Sequence, residues 1–144
     1  MTGTGYSLVY PMFAMVLLTG FVLVRLFRSR VSAVQAGQVS ASYFRLYQGA
    51  VEPETTVKNS RHFSNLFEAP TLFYAACLAA MVTHVTGLLM VVLAWLYVVA
   101  RIVHAAIHLG PNRLRYRVRA YFVSWLILLA MWITLVAVLV MSGA

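Results

Sequence analysis

The sequence predicts an all-α integral membrane protein built as a bundle of four transmembrane helices. Three observations predict it. Hydrophobic residues make up 62% of the 144 and charged residues only 10%, against about 45–50% and about 25% in soluble domains. Apolar runs long enough to cross the ~30 Å hydrocarbon core recur four times. The eleven Lys and Arg residues, set against three Asp and Glu, cluster in the intervals between those runs rather than spreading along the chain.

A mean hydropathy of +0.86 excludes a disordered chain. It also excludes a cytosolic globular enzyme, because a fold this small leaves a large share of its surface exposed. The lone Cys77 rules out an intrachain disulfide or a cysteine-based metal site. A length of 144 residues suits one domain covering the whole chain, 1–144.

The first span is expected over about 6–25, ending at Arg25. It has no basic segment before it and no small-residue cleavage site after it, so it reads as a retained helix rather than a secretion signal. A polar loop follows over 27–60, with Gly37, Gly49 and Pro53 as its expected breaks. The second span, 62–83, contains Pro70, which removes the usual donor for the Leu66 carbonyl and predicts a kink. A turn around His84 and Gly87 is so short that the third span, 87–108, must run antiparallel beside the second. A basic loop over 109–118 leads to the fourth span, 119–141, which opens on Arg119 and is otherwise uncharged.

The charges also predict orientation. Both long loops are basic, while the N-terminal tail, the turn near His84 and the C-terminal tail carry no Lys or Arg. The positive-inside rule makes the basic loops cytoplasmic and puts both termini outside, as expected of a bacterial inner-membrane protein. The net charge of +8 therefore belongs to lipid headgroups. No basic surface is left over for nucleic acid.

Polar residues inside spans are costly, roughly 2.5–3.5 kcal/mol each for a charge, so each asks for a partner or a task. Arg61, Asn65 and Glu68 fall within about 60° of one another on a helical wheel, and so do Tyr97, Arg101, His104 and His108. The two stripes are expected to face each other. On that reading Glu68 pairs with Arg101, and Asn65 and His104 complete the hydrogen bonds. Arg115 and Arg119 share a face at the start of the fourth helix, while Arg113 and Arg117 read as orientation signals touching lipid phosphates. His62 and His84 read as interfacial. His104 and His108 then have no third ligand at metal spacing, and no metal site is expected.

The run Arg61-x-x-x-Asn65-x-x-Glu68-x-Pro70, followed by Arg101-x-x-His104 before a basic loop in a four-span chain, resembles the MAPEG family. These are the membrane-associated proteins of eicosanoid and glutathione metabolism. The resemblance implies a left-handed four-helix bundle assembled as a homotrimer, with glutathione between subunits near the cytoplasmic end. It implies that Arg61, Asn65 and Glu68 hold the tripeptide's charged ends, and that Arg101, His104 and His108 line the site from the third helix. Arg119, or failing that Arg115, would face the thiol. Arg28 or Arg30 would reach in from the neighbouring subunit. Two positions depart from the eicosanoid-forming members. His108 stands where they have Tyr, and Val123 stands one turn beyond the fourth-helix Arg where they have another Tyr, with Tyr121 on a different face.

The resulting expectation is a membrane-bound transferase or peroxidase that activates glutathione, or a similar thiol, against a lipophilic electrophile. Two alternatives stand beside it: a non-catalytic bundle binding lipid or a protein partner, and a small proton-coupled exporter using Glu68.

Overall fold

A computed structural model describes residues 7–143. Tyr6, where the first span was expected to begin, lies outside the described residues. Six helices follow in order: α1 Val9–Gln35, α2 Tyr43–Leu46, α3 Glu54–Asn65, α4 Ala69–Val82, α5 Leu88–Leu109 and α6 Leu114–Ser142. Four helical segments are long and apolar enough to cross a membrane: α1, the α3–α4 pair, α5 and α6. No strand occurs among the described residues.

Each long helix buries only a narrow stripe. On α1 the buried residues include Met15, Val22, Leu26 and Ala33, at steps of seven, four and seven. On α6 they are Ser124, Leu128, Met131 and Leu135, at steps of four, three and four. Such steps keep one face of each helix turned inward. Met15 and Val22 of α1 and Leu128, Met131 and Leu135 of α6 meet Phe73, Ala76, Cys77 and Ala80 of α4 and Met90, Ala94, Tyr97 and Val98 of α5 in one core, while Ala33 packs in a separate cluster with Val39 and Tyr43. Phe73 and Tyr97 stack with ring centroids 4.5 Å apart. The outer faces carry Phe13, Leu17, Phe21, Leu126, Leu129 and Ile133, all exposed. Only lipid or a partner subunit provides a suitable surrounding for so much apolar surface.

The helix ends differ from the sequence expectation: α3 begins within the expected loop and α6 begins at Leu114 rather than residue 119, and two further differences shape the loop end. First, α1 runs past Arg25, Arg28 and Arg30 to Gln35, because nothing in that polar segment breaks a helix before Gly37, which takes a left-handed φ of 69°. The loop end of the molecule is therefore partly helical, with α1 and α3 projecting side by side. Second, the expected span 62–83 is not one helix. It breaks between α3 and α4, at residues 66–68, just ahead of Pro70, which stands in the first turn of α4. The ring forbids the helical hydrogen bond at that point and disfavours the α conformation of the residue before it. Glu68 takes φ −92° and ψ −98° as the N-cap of α4.

The turn from α4 to α5 closes in a Schellman arrangement. The Val85 N–H donates to Ala80 O at 2.8 Å and the His84 N–H to Met81 O at 3.3 Å, with His84 at a left-handed φ of 59°. At the opposite end, Arg25 donates to Leu109 O and Lys58 to Gly110 O, each at 3.2 Å. Two cations on α1 and α3 thereby satisfy the C-terminal carbonyls of α5, where a positive charge is favoured.

The core stack generates a test. Phe73→Ala should remove a fully buried ring and its Tyr97 contact, lowering stability by about 3–5 kcal/mol. Denaturation in detergent micelles reads the loss, with Phe13→Ala on the exposed face expected to be near neutral.

Candidate functional site

At the loop end, α3, the α3–α4 break, α5 and α6 enclose a cavity of about 540 Å³. Arg61, Ser64 and Asn65 line it from α3, Glu68 from the break, His104 and His108 from α5, and Arg117, Tyr121 and Phe122 from α6. The two polar stripes expected from the sequence do face each other. The helix break decides how they do so, because Glu68 is carried off the α3 axis.

Arg101 is fully buried. Its Nη2 donates to Asn65 Oδ1 at 2.6 Å and to Asn65 O at 3.3 Å, and Asn65 Nδ2 donates to Glu68 Oε2 at 3.1 Å. The expected direct Glu68–Arg101 pair is thus replaced by a relay through Asn65. The reason is the break: Glu68 belongs to the turn that caps α4, whereas the last residue of α3 points its amide at α5. The Glu68 carbonyl also accepts from the Thr71 hydroxyl. Arg101 Nε and Nη1 and the Tyr97 hydroxyl are buried without a protein partner.

His62 is also placed otherwise than expected. It is fully buried, not interfacial, because α3 packs along α1 and turns this residue toward α5. Its Nδ1 lies 3.0 Å from His108 Nδ1, and its ring stacks on that of His104 with centroids 5.5 Å apart and planes inclined by 30°. His104 Nδ1 lies 3.2 Å from Arg117 O. The three histidines form one cluster that the spacing of His104 and His108 alone does not reveal.

On α6 the cation facing the cavity is Arg117. Arg113, Arg115 and Arg119 are exposed and do not line it. Arg117 Nη1 donates to Asn112 Oδ1 at 2.8 Å, which steadies the guanidinium at the cavity mouth. Tyr121, four residues on, shares its face and lines the same cavity, while Val123 is exposed. Sequence reasoning missed both Arg117 and Tyr121. The signal was there: the buried seam Leu135, Met131, Leu128 and Ser124, continued backwards at steps of three and four, reaches Tyr121 and Arg117.

Arg28 and Arg30 stay away from the cavity within one chain. Arg28 is exposed on α1. Arg30 donates to the Tyr47 hydroxyl at 2.9 Å and lies over Phe44, 5.3 Å from the ring centroid. There it braces the short helix α2 against the end of α1.

Next to the polar cavity, and sharing Phe122 with it, is a second hollow of about 330 Å³ lined by Leu72, Trp125, Leu126, Leu128, Leu129 and Trp132. It is wholly apolar and faces outward. Chemically the pair combines a cationic, hydrogen-bonding chamber with an adjoining oily one, an arrangement suited to joining a charged molecule to a lipophilic one.

Comparison with known proteins adds one match: the model of the MAPEG family covers residues 8–137. No curated protein and no solved structure matches the chain.

The relay has a measurable consequence. Asn65→Leu removes the side-chain acceptor of a buried guanidinium and should cost about 3–5 kcal/mol, read as a lowered unfolding midpoint in detergent. Asn65→Asp keeps an acceptor for Arg101 but loses the donor to Glu68 and sets a second carboxylate beside it, so it should recover only part of that stability.

Proposed function

The chain belongs to the MAPEG family, and on that premise we propose that its polar cavity binds glutathione, or a closely similar thiol, as the thiolate. The bound thiolate is presented to a lipophilic electrophile entering from the membrane. The observation that carries this reading is the single cavity in which Arg117 and Tyr121 of α6 face Arg61, Asn65 and Glu68 across the two histidines of α5. A volume of about 540 Å³ falls within the range of small-molecule sites.

Each residue type suits a part of such a ligand. Arg61 offers donors to a carboxylate and Glu68 an acceptor to an ammonium group, so the two ends of a zwitterionic tripeptide are distinguished by charge. Arg101 has no access to the cavity and acts by holding Asn65 and, through it, Glu68. A free thiol ionises near pH ~8.5, and the thiolate is the nucleophile. A guanidinium beside the sulfur favours the anion and, unlike an amine, keeps its own charge in a partly apolar site. Arg117 takes this role here, where the sequence pointed to Arg119 or Arg115. The Tyr121 hydroxyl is a second donor at the same wall. The outward apolar hollow behind Phe122 supplies a place for the electrophile.

Exposure supports the reading of a multi-subunit assembly. Arg61, Ser64 and Glu68 lie on an open side of the single chain, at the membrane-facing surface of a spanning segment. Hydrocarbon contact there would be costly for a charge, so a second copy of the bundle is needed to cover it. A homotrimer does this by symmetry, one cavity per interface, and puts Arg28 of one subunit within reach of its neighbour. By the positive-inside rule the cavities open to the cytoplasm and both termini lie outside.

The test is spectroscopic. Mixing detergent-purified protein with glutathione should raise thiolate absorbance. Arg117→Ala should cut the ionised fraction at neutral pH by about tenfold or more, the equivalent of at least about 1.4 kcal/mol. Arg119→Ala should leave the signal in place. A signal lost in Arg119→Ala and kept in Arg117→Ala would overturn the assignment.

A further inference from the structure

The geometry points to a transition-metal site formed by His62, His104 and His108, with zinc as the ion whose ligand chemistry it fits. One ring nitrogen from each of the three lies within 4.8 Å of the other two. Tetrahedral zinc with Zn–N bonds of about 2.0–2.1 Å sets its ligand nitrogens about 3.3 Å apart. The His62–His108 pair, at 3.0 Å, is already close to that, and small rotations about the side-chain bonds bring the third ring in.

Three further features mark a site rather than a chance packing of rings. All three histidines are buried, so the ligand atoms are held by the surrounding helices. Without an ion the cluster is poorly satisfied, because the His62–His108 contact uses one proton between two Nδ1 atoms. His104 Nδ1 faces the Arg117 carbonyl at 3.2 Å. A donor bond there fixes the tautomer and leaves Nε2 as the lone-pair nitrogen, the way metal-ligating histidines are commonly oriented by an outer partner.

The fourth position is open. His104 and His108 line the polar cavity while His62 lies behind them, so an ion held by the three would keep one face toward the cavity for water or an anion. Three histidines with one exchangeable position is the pattern of reactive rather than structural zinc. The charge around it governs affinity. Arg117, Lys58, Arg101 and Arg61 all act on His108 electrostatically and repel a bare divalent ion. Binding should therefore strengthen when the fourth ligand is anionic.

Tag-free protein in detergent, stripped with a chelator and dialysed against buffered zinc, should retain one equivalent per chain. Cobalt in its place should give the visible bands of tetrahedral coordination, and adding azide should shift those bands and tighten binding several-fold. His62→Gln and His104→Gln, each tested for an unchanged melting profile, should lose the equivalent, while His84→Gln, an exposed residue outside the cluster, should keep it. Retention of zinc by His62→Gln, or no zinc on the wild type above that on the His62→Gln/His104→Gln double variant, would overturn the proposal. Glutathione binding measured on the stripped protein tests the thiol reading separately, so either can fail while the other stands.

Discussion

The arrangement of this molecule depends on a guanidinium that cannot reach water. Arg101 sits in the middle of the core surface of α5, and burying a charge at that depth is tolerated only if fixed dipoles replace the solvent it has lost. Asn65 supplies both of its oxygens, backbone and side chain. It can offer the backbone oxygen because α3 stops there: a carbonyl in the interior of a continuous helix would be committed to the N–H four residues on. The proline-induced break and the buried arginine therefore support each other. Pro70 ends the helix in the right place, and Arg101 occupies the acceptors that the ending exposes.

From that junction the polar chamber follows. Breaking the second span lets α3 lean along α1 while α4 joins the core with α5 and α6. The space between the two halves is where the cavity forms, with Glu68 at the break and the first turns of α6 along one wall. A straight second span would have laid Arg61, Asn65 and Glu68 along one line against α5, and the space between would have been filled by their own side chains. The cavity is thus a product of backbone geometry more than of side-chain size.

Much of this was legible in the sequence, and the parts that were not share a cause. Span number, the antiparallel pairing of α4 with α5 and the convergence of the Arg61 and Arg101 stripes all follow from hydropathy and helical periodicity, which are local. The kink at Pro70 was legible as chemistry, but its consequence, Asn65 standing between Arg101 and Glu68, required knowing which way the chain turned. His62 read as interfacial because it lies near the predicted end of a span; it is buried because α1 continues ten residues past Arg25 and shelters it. Arg117 was passed over in favour of Arg119 because the start of the fourth helix was placed at residue 119. With the helix beginning at Leu114, the inward seam continues past Tyr121 by one more turn to Arg117. Helix ends, the least local feature of a membrane sequence, carried the site.

The chamber's electrostatics then link its two proposed occupants. Arg61, Arg117, Lys58 and the buried Arg101 place several positive charges around a space whose only carboxylate is Glu68. In a low-dielectric surrounding such an imbalance raises the value of any anion that enters. A thiolate relieves it directly. A divalent ion on the three histidines would worsen it, unless it arrived with or recruited an anionic ligand, in which case metal and sulfur would each make the other's binding more favourable, as reciprocal linkage requires. A thiolate held by guanidinium alone leaves the close His62–His108 contact unexplained, whereas a thiolate shared between Arg117 and a histidine-bound ion would give both Nδ1 lone pairs a partner.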